Sequence, residues 1–134
     1  MFLIDANVFI ELVLDQNRAQ ECEDFLEKVM AGKIECTVSD FNIDGVLLAI
    51  YRETKNPGLL MKFLSTIMTY RGLSFYFVTM SDRLKAIELS ESYKLDFEDS
   101  MTLQAAFSTG NTIISFDHDF DNLPIKRLEP KDLL

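Results

Sequence analysis

Acidic residues follow two short apolar segments, one near each end of the chain. Asp5 comes directly after the apolar run FLI, and the run IISF near the other end continues as DHDFD, which begins with Asp117. Two further acids lie between these segments, Asp44 in SDFNIDGVLL and Asp99 in LDFEDSMTLQAA. Like charges gathered in one place repel unless a cation neutralises them, and hard divalent ions bind carboxylate oxygens. The acids therefore suggest a divalent-metal site.

Each acid also has a purely structural explanation. Asp5 could cap the first helix, and Asp99 could interact with the dipole of a later helix, contributing about 0.5 to 2 and about 0.3 to 1 kcal/mol respectively. Asp44 is harder to explain in this way, because Asp is unfavourable inside a helix that already has Ser39 and Asp40 at its start. The acids of DHDFD could form a solvated loop. Only convergence of the acids on one surface would favour the metal site.

Short strands alternate with longer helices along the chain. The strands are predicted at residues 2–4, 35–38, 74–79 and 112–116, with a weaker edge strand within 123–128. The helices are predicted at 6–14, 18–31, from the N-cap Ser39 onwards, at 57–72, from the N-cap Ser81 to about 94, and at 98–109. This alternation predicts an α/β fold with a parallel sheet covered by helices on both faces.

The predicted fold places the four acids at one edge of the sheet. Ligands of open parallel sheets bind beyond the carboxyl ends of the strands. Asp5 directly follows the first strand, and Asp117 lies at the end of the fourth. Asp44 lies near the start of the helix after the second strand, and Asp99 lies in the first turn of the helix before the fourth. We therefore expect all four side chains at the same rim.

The ordered series of motifs resembles the PIN-domain nucleases, especially the small VapC-type toxin ribonucleases that are paired with antitoxins. The resemblance covers essentially the whole chain and runs through LIDANVFIEL, SDFNIDGVLL, LDFEDSMTLQAA and SFDHDF in order. It implies a three-layer α/β/α sandwich with a central, mostly parallel sheet, as one domain over residues 1–134. It also implies metal-dependent endoribonuclease activity and an acidic cleft that holds one or two Mg²⁺ or Mn²⁺ ions.

The resemblance also implies roles for individual residues. Metal binding and catalysis fall to four acids, with a fifth at the edge of the site: Asp5, Asp44, Asp99 and Asp117, and then Asp119. Asn7 occupies the polar position after the first acid, and Ser115 is expected to orient Asp117 without binding the metal itself. Asp44 departs from the pattern, because the family usually has the longer Glu there. That departure keeps open a second reading, a PIN-fold binding module with weakened catalysis.

Phosphodiester hydrolysis explains why acids would be needed. One bound divalent ion lowers the pKa of water, and two ions about 3.5 to 4 Å apart hold the attacking and leaving oxygens. Ser39, Ser115 and His118 do not form a recognisable catalytic triad, so no covalent protein nucleophile is required. We interpret His118 as an exposed loop residue, with a ligand role as the alternative. A phosphoacceptor receiver domain is disfavoured, because Thr79 and Met80 follow the third strand where that class needs an acidic acceptor.

Composition limits the possible partners and locations. The 134 residues include 13 Lys and Arg against 22 Asp and Glu, and the net charge of -9 argues against a broad nucleic-acid-binding surface. A phosphate-bearing ligand would therefore need local help, such as metal ions. The apolar start lacks a basic leader, and no segment approaches the roughly 20 apolar residues that span a bilayer. Cys22 and Cys36 are interpreted as reduced thiols, so a cytoplasmic, soluble protein without membrane contact is expected.

Three partners are expected: an RNA substrate, an antitoxin that inserts a basic side chain into the acidic cleft, and a second copy of the chain. A homodimer would cover the apolar surface of two successive helices, whose apolar residues are Leu47, Leu48, Ile50, Tyr51, Leu59, Leu60, Phe63, Leu64 and Met68. In the alternative, these helices cover one another as a hairpin within one chain.

Overall fold

A five-stranded parallel sheet forms the centre of the computed structural model, which describes residues 1–110 and 112–134. The strands are β1 (Phe2–Ile4), β2 (Cys36–Ser39), β3 (Leu73–Tyr76), β4 (Thr112–Ile114) and β5 (Arg127–Leu128). Their order is β3-β2-β1-β4-β5, and each neighbouring pair is parallel. β2 and β3 therefore lie on one side of β1 within the sheet, and β4 and β5 lie on the other.

Helices cover both faces of this sheet. They are α1 (Ala6–Val13), α2 (Ala19–Met30), α3 (Asp40–Thr54), α4 (Pro57–Ile67), α5 (Met80–Tyr93) and α6 (Phe97–Thr109). Two short 3₁₀ turns, His118–Phe120 and Pro130–Leu133, follow β4 and β5. The predicted α/β fold with a central parallel sheet is confirmed.

Alternating strand residues divide the core into two layers. Ile4 and Ile114 are fully buried in the larger core cluster, with residues of α1 to α4. Their neighbours Leu3 and Ile113 are fully buried in a second cluster, with Ala105 of α6. Successive side chains of a strand point to opposite faces, so each strand serves both helix layers. The molecule is therefore the three-layer α/β/α sandwich that the sequence predicted.

The boundary between β3 and α5 differs from the prediction. β3 ends at Tyr76 rather than at residue 79, and the N-cap of α5 is Thr79 rather than Ser81. The Thr79 side chain accepts a hydrogen bond from the backbone of Asp82, whose carboxylate accepts one from the backbone of Thr79 in return. The hydroxyl of Tyr76 also donates to the Asp82 carboxylate, at 2.7 Å. These contacts favour Thr79 over Ser81 as the cap.

Two other elements are shorter than predicted. β4 ends at Ile114 rather than at residue 116, and the backbone N–H of Phe116 donates to the side chain of Asn7 instead of to a strand. α4 ends at Ile67 rather than continuing to Gly72. Gly72 instead directly precedes β3, and a Cβ added to it would be 2.2 Å from the carbonyl oxygen of Ile34. Only glycine allows that approach.

Part of the apolar surface of α3 and α4 is buried in the larger core cluster, which these helices share with α1, α2 and the sheet. Ile50 is fully buried, and Phe63 is 7 % exposed and packs edge-on against Phe9. These two side chains therefore do not contribute to an exposed patch. Leu48, Tyr51 and Met68 do remain exposed, so part of this apolar surface is uncovered in the single chain, as the sequence suggested. Both cysteines are buried and free, and no helix among the described residues is long and apolar enough to cross a membrane.

Candidate metal-binding site

An acidic cleft opens at the carboxyl ends of the strands, beside the junction of β1 and β4. This junction is where the strand order reverses direction, the place where parallel sheets bind ligands. The cleft has a volume of about 360 Å³, and it is lined by the four acids predicted to meet there: Asp5, Asp44, Asp99 and Asp117. The expected convergence on one rim is therefore found. Their roles as ligands remain a prediction.

Asp5 both caps a helix and faces the cleft. It follows β1 directly as the N-cap of α1, where its Oδ1 accepts a 2.8 Å hydrogen bond from the backbone of Ala6. Its Oδ2 accepts from Ser115 Oγ at 2.7 Å and from Asn7 Nδ2 at 3.3 Å. Burial raises the pKa of Asp5 to about 6, although the Ser115 and Ala6 hydrogen bonds oppose this shift. The structural and functional explanations of Asp5 are therefore compatible.

Ser115 connects two of the cleft acids. Its Oγ donates to Asp5 and accepts from the backbone N–H of Asp117 at 3.0 Å and from Asn7 Nδ2 at 3.0 Å. Its hydroxyl hydrogen and both lone pairs are thus engaged. The sequence led us to expect that Ser115 orients the carboxylate of Asp117. The structure instead places the hydroxyl on the carboxylate of Asp5 and on the backbone of Asp117.

Three carboxylates form a compact group at the mouth of the cleft. One oxygen from each of Asp99, Asp117 and Asp119 lies within 4.8 Å of the other two. The backbone N–H of Asp119 donates to Asp117 Oδ1 at 2.9 Å, which fixes the turn that carries both residues. Asp99 lies in the first turn of α6, one turn after the N-cap Asp96. The group therefore combines α6 with the segment that follows β4.

The environment of Asp99 disfavours its charged form. Burial raises the pKa of this carboxyl group to about 8, and the charges of Asp117, Asp96, Asp5 and Asp119 act in the same direction. A perturbed group of this kind, set in a cleft among like charges, is typical of functional sites. A divalent cation would remove the repulsion, and carboxylate oxygens are the ligands that Mg²⁺ and Mn²⁺ prefer. The side chains present therefore fit a hard divalent ion.

Two of the predicted residues lie at the margin of this arrangement. Asp44 lines the cleft from α3, but it is exposed and does not belong to the compact carboxylate group. The side chain of His118 is 76 % exposed, and its Nδ1 lies 2.8 Å from Asp121 Oδ2. Asp121 in turn pairs with Arg127, away from the other acids of its loop. The interpretation of His118 as an exposed loop residue agrees with this position.

Sequence reasoning missed two polar residues that line the cleft. Thr102 lies one helical turn after Asp99 on the same face of α6, and its hydroxyl lowers the pKa of Asp5. Asn42 lies in the first turn of α3, and its Oδ1 accepts a 3.3 Å hydrogen bond from Thr102. The helical spacing from Asp99 could have indicated Thr102. The sequence contains no comparable signal for Asn42.

Comparisons with known proteins agree with this geometry. The family model of the PIN domain matches residues 2–126. A toxin–antitoxin complex from Klebsiella pneumoniae aligns over 97 % of this chain and 98 % of its own, with 20 % identity and a TM-score of 0.72. VapC20 of Mycobacterium tuberculosis, described as a toxin that cleaves the sarcin-ricin loop, aligns over 97 % and 100 %, with 13 % identity and a TM-score of 0.79.

A third similar structure is VapBC2 from Rickettsia felis, bound to a DNA fragment from its promoter. It aligns over 96 % of this chain and 97 % of its own, with 10 % identity and a TM-score of 0.70. At these identities the structures support the fold. No curated protein sequence gives a significant match to the chain.

Proposed function

The chain belongs to the PIN-domain family, whose members are nucleases, and on that premise we propose that it is a divalent-metal-dependent endoribonuclease, the toxin of a toxin–antitoxin pair. The observation that carries the proposal is the compact group of Asp99, Asp117 and Asp119, with carboxylate oxygens within 4.8 Å of one another beside the partly buried Asp5. Like charges at this separation disfavour one another's ionised form, and a bound cation would remove that repulsion. The fold alone would not distinguish a nuclease from other α/β proteins.

The cleft side chains have separable roles in this proposal. Asp99, Asp117 and Asp119 would hold one Mg²⁺ or Mn²⁺ ion, with Asp5 adjacent and Asp44 available to a second. Such an ion, when bound, activates water and neutralises charge that develops on a phosphate. Ser115 and Asn7 hold the Asp5 carboxylate in place through hydrogen bonds. The raised pKa of Asp99, about 8, means that this group exchanges a proton for the cation near neutral pH.

A weakened binding module is the second candidate, and the position of Asp44 is the observation that favours it. This residue is exposed and stands apart from the compact group. It is one methylene shorter than the Glu that the family resemblance implies at this position. If a second ion is needed for turnover, this side chain is where the site is weakest.

Partners follow from the similar structures and from the charge of the cleft. Among those structures are toxins in complex with antitoxins and a toxin described as cleaving the sarcin-ricin loop. We infer single-stranded or loop RNA as the substrate, together with an antitoxin whose Arg or Lys side chain enters the acidic cleft and competes with the cation. A homodimer completes the proposed assembly.

Cleavage of a structured RNA in the presence of Mg²⁺ or Mn²⁺ tests the proposed activity. We expect internal cleavage that EDTA abolishes and that Asp99→Asn and Asp117→Asn reduce at least about 100-fold. Glu23→Gln, at an exposed position of α2, is the control for charge loss. Cleavage that persists with EDTA and in Asp99→Asn would contradict the proposal.

An inactive wild-type protein that still binds Mn²⁺ would instead support the binding module. Asp44→Glu is then the informative variant, because it restores the missing methylene. Activity gained by this variant would identify the short side chain as the defect.

A further inference from the structure

A buried amide without a complete set of partners lies in the floor of the acidic cleft. Asn42 lines the cleft and is only 4 % exposed. Its Oδ1 accepts from Thr102, but its Nδ2 has no hydrogen-bond partner among the described residues. Buried polar groups are almost always paired, because leaving one unpaired is costly. An exception inside a ligand cleft needs an explanation.

The other polar donors of the cleft are already used. Asn7 Nδ2 has two hydrogens, and it donates to Asp5 Oδ2 and to Ser115 Oγ. The single hydroxyl hydrogen of Thr102 has acceptors within the protein: Asn42 Oδ1 at 3.3 Å, the backbone carbonyl of Glu98 at 3.4 Å and the Asp5 carboxylate. No Lys or Arg is among the described residues that line the cleft. Asn42 Nδ2 is therefore the side-chain donor of the cleft lining that has no partner among the described residues, and it is itself buried.

A glycine on the same helix leaves space beside this amide. Gly45 follows Asn42 by one turn of α3 and lines the same cleft. Apart from its chain neighbours and the backbone of its own helix, no protein atom would lie within 4 Å of a Cβ added at Gly45, so the fold does not require glycine there. Glycine inside a helix is less stable than alanine. Its presence is explained if another molecule approaches the helix backbone at this point.

We propose that Asn42 is a substrate-binding residue whose side-chain amide donates a hydrogen bond to a nonbridging phosphate oxygen of an RNA strand that lies over Gly45. This inference rests on the proposed function and adds a contact to it. An anionic strand that enters a cleft of carboxylates needs donors as well as cations. The amide supplies a donor without adding a charge that would exclude the metal ion.

The first turn of α3 holds Asn42 firmly in position. Its backbone N–H donates to the N-cap Ser39 Oγ at 3.0 Å, and its side chain is held by Thr102 of α6. A contact from a rigid element orients a ligand more accurately than one from a mobile loop. Asn42 would therefore fix the position of the phosphate relative to Asp99, which α6 also carries.

RNA binding in Ca²⁺, measured by fluorescence anisotropy with a short labelled single-stranded RNA, tests this inference without depending on cleavage. We expect Asn42→Ala to weaken RNA binding about tenfold and to leave Mn²⁺ affinity unchanged, because a hydrogen bond to a charged group is lost but no metal ligand is. Asn42→Asp should weaken RNA binding further, since an acceptor with a negative charge replaces the donor. Gly45→Ala should raise the melting temperature and still weaken RNA binding.

Gln104→Ala is the matched control for loss of a buried amide. Gln104 is also buried and has an unpaired Oε1, but it lies outside the cleft and donates to Tyr76 and Ser108. We expect its RNA affinity to stay within about twofold of wild type, although its stability falls. Equal effects of Gln104→Ala and Asn42→Ala on RNA binding would show that Asn42 acts only through stability and would overturn the proposal.

Three other results would also overturn it. These are unchanged RNA affinity in Asn42→Ala, a wild-type protein that binds no RNA, and a loss of Mn²⁺ affinity in Asn42→Ala that Asn42→Asp restores. The last would make the side chain a metal ligand. Failure of the proposed catalysis can be distinguished from failure of this inference. If the wild-type protein binds RNA and Asn42→Ala weakens that binding, but no RNA is cleaved, the nuclease proposal fails and the phosphate contact stands.

Discussion

The hydroxyl of Ser115 donates a 2.7 Å hydrogen bond to Oδ2 of Asp5 and so joins the segment after β4 to the residue after β1. The same oxygen accepts from the backbone N–H of Asp117. The positions of two cleft acids, carried by neighbouring strands, therefore depend on one buried side chain. Replacement of residues that hold metal ligands in this way commonly lowers metal affinity about 10-fold to 100-fold.

Replacement of Ser115 by alanine should weaken metal binding. The variant leaves Asp5 without its shortest hydrogen bond, so the pKa of Asp5 should rise above its present value of about 6. We expect Mn²⁺ affinity to fall about 10-fold to 100-fold, measured by isothermal titration calorimetry. Ser92→Ala, at an exposed position of α5, is the control. Wild-type affinity in Ser115→Ala would show that the hydroxyl does not support the site.

Metal affinity should rise steeply with pH. The pKa of Asp5 is raised to about 6 and that of Asp99 to about 8, so both carry protons in part of the neutral range. A cation must displace these protons, so we expect Mn²⁺ affinity to increase from about pH 5 to about pH 8, by up to roughly tenfold per unit for each proton released. Titrations in buffers with different ionisation enthalpies measure the number of protons released. An affinity that is constant over this range would contradict the assignment of these acids as ligands.

Stability without metal should show the opposite pH dependence. The pKa of Asp99 in the folded protein is about 8, above its ordinary value of 3.8, so the folded state keeps a proton that the unfolded state loses. The resulting stabilisation is complete below about pH 4 and is lost as the pH rises through about 8. Urea unfolding in EDTA should therefore give a lower free energy of unfolding at the upper end of this range.

Asp99→Asn provides the matched variant for that measurement. The amide removes the partly buried charge, so the variant should exceed wild type by about 1 kcal/mol or more near pH 8 without metal, and should lose this advantage when Mn²⁺ is added. Glu23→Gln should behave like wild type in both conditions. A variant less stable than wild type in EDTA would mean that the Asp99 carboxylate is favourable even without a cation.

The fold and the acidic rim could be predicted because they depend on local patterns and one topological rule. Apolar strands alternate with helices, and a parallel sheet brings the ends of its strands to one edge, so Asp5 and Asp117 were expected to lie together. The position of Asp99 followed from its place in the first turn of α6. For each of these acids, the direction of the chain determines at which edge of the sheet the end of its strand or helix lies.

Features that depend on contacts distant in sequence could not be predicted in this way. The N-cap of α5 is a different case, because the capping box between Thr79 and Asp82 is local and its spacing could have been recognised in the sequence. The partner of the Ser115 hydroxyl depends on the approach of β1 to β4. The unpaired amide of Asn42 is visible only when every neighbour in the cleft is known. Side-chain hydrogen bonding across elements is the part of the site that residue spacing does not determine.

The surface of the proposed homodimer can now be located by experiment, because two exposed apolar regions compete for it. On α5, the residues Met80, Leu84 and Ile87 recur at helical spacing and are exposed, and Leu84 is 65 % exposed. The other region is on α4, one of the two helices that the sequence suggested as the dimer interface, where Met61 is 70 % exposed.

Glu substitutions at the centre of each region should identify the interface. Leu84→Glu and Met61→Glu place the same charge at two exposed positions, so neither should unfold the chain, whereas Phe63→Glu would put a charge into the core. We expect Leu84→Glu to be monomeric by light scattering across a dilution series and Met61→Glu to remain dimeric, because the α5 stripe presents three apolar side chains on one helix face and charged groups are depleted from interface cores. The reverse outcome would assign the interface to α4. A wild-type protein that stays monomeric at the highest concentration would remove the homodimer from the proposed assembly.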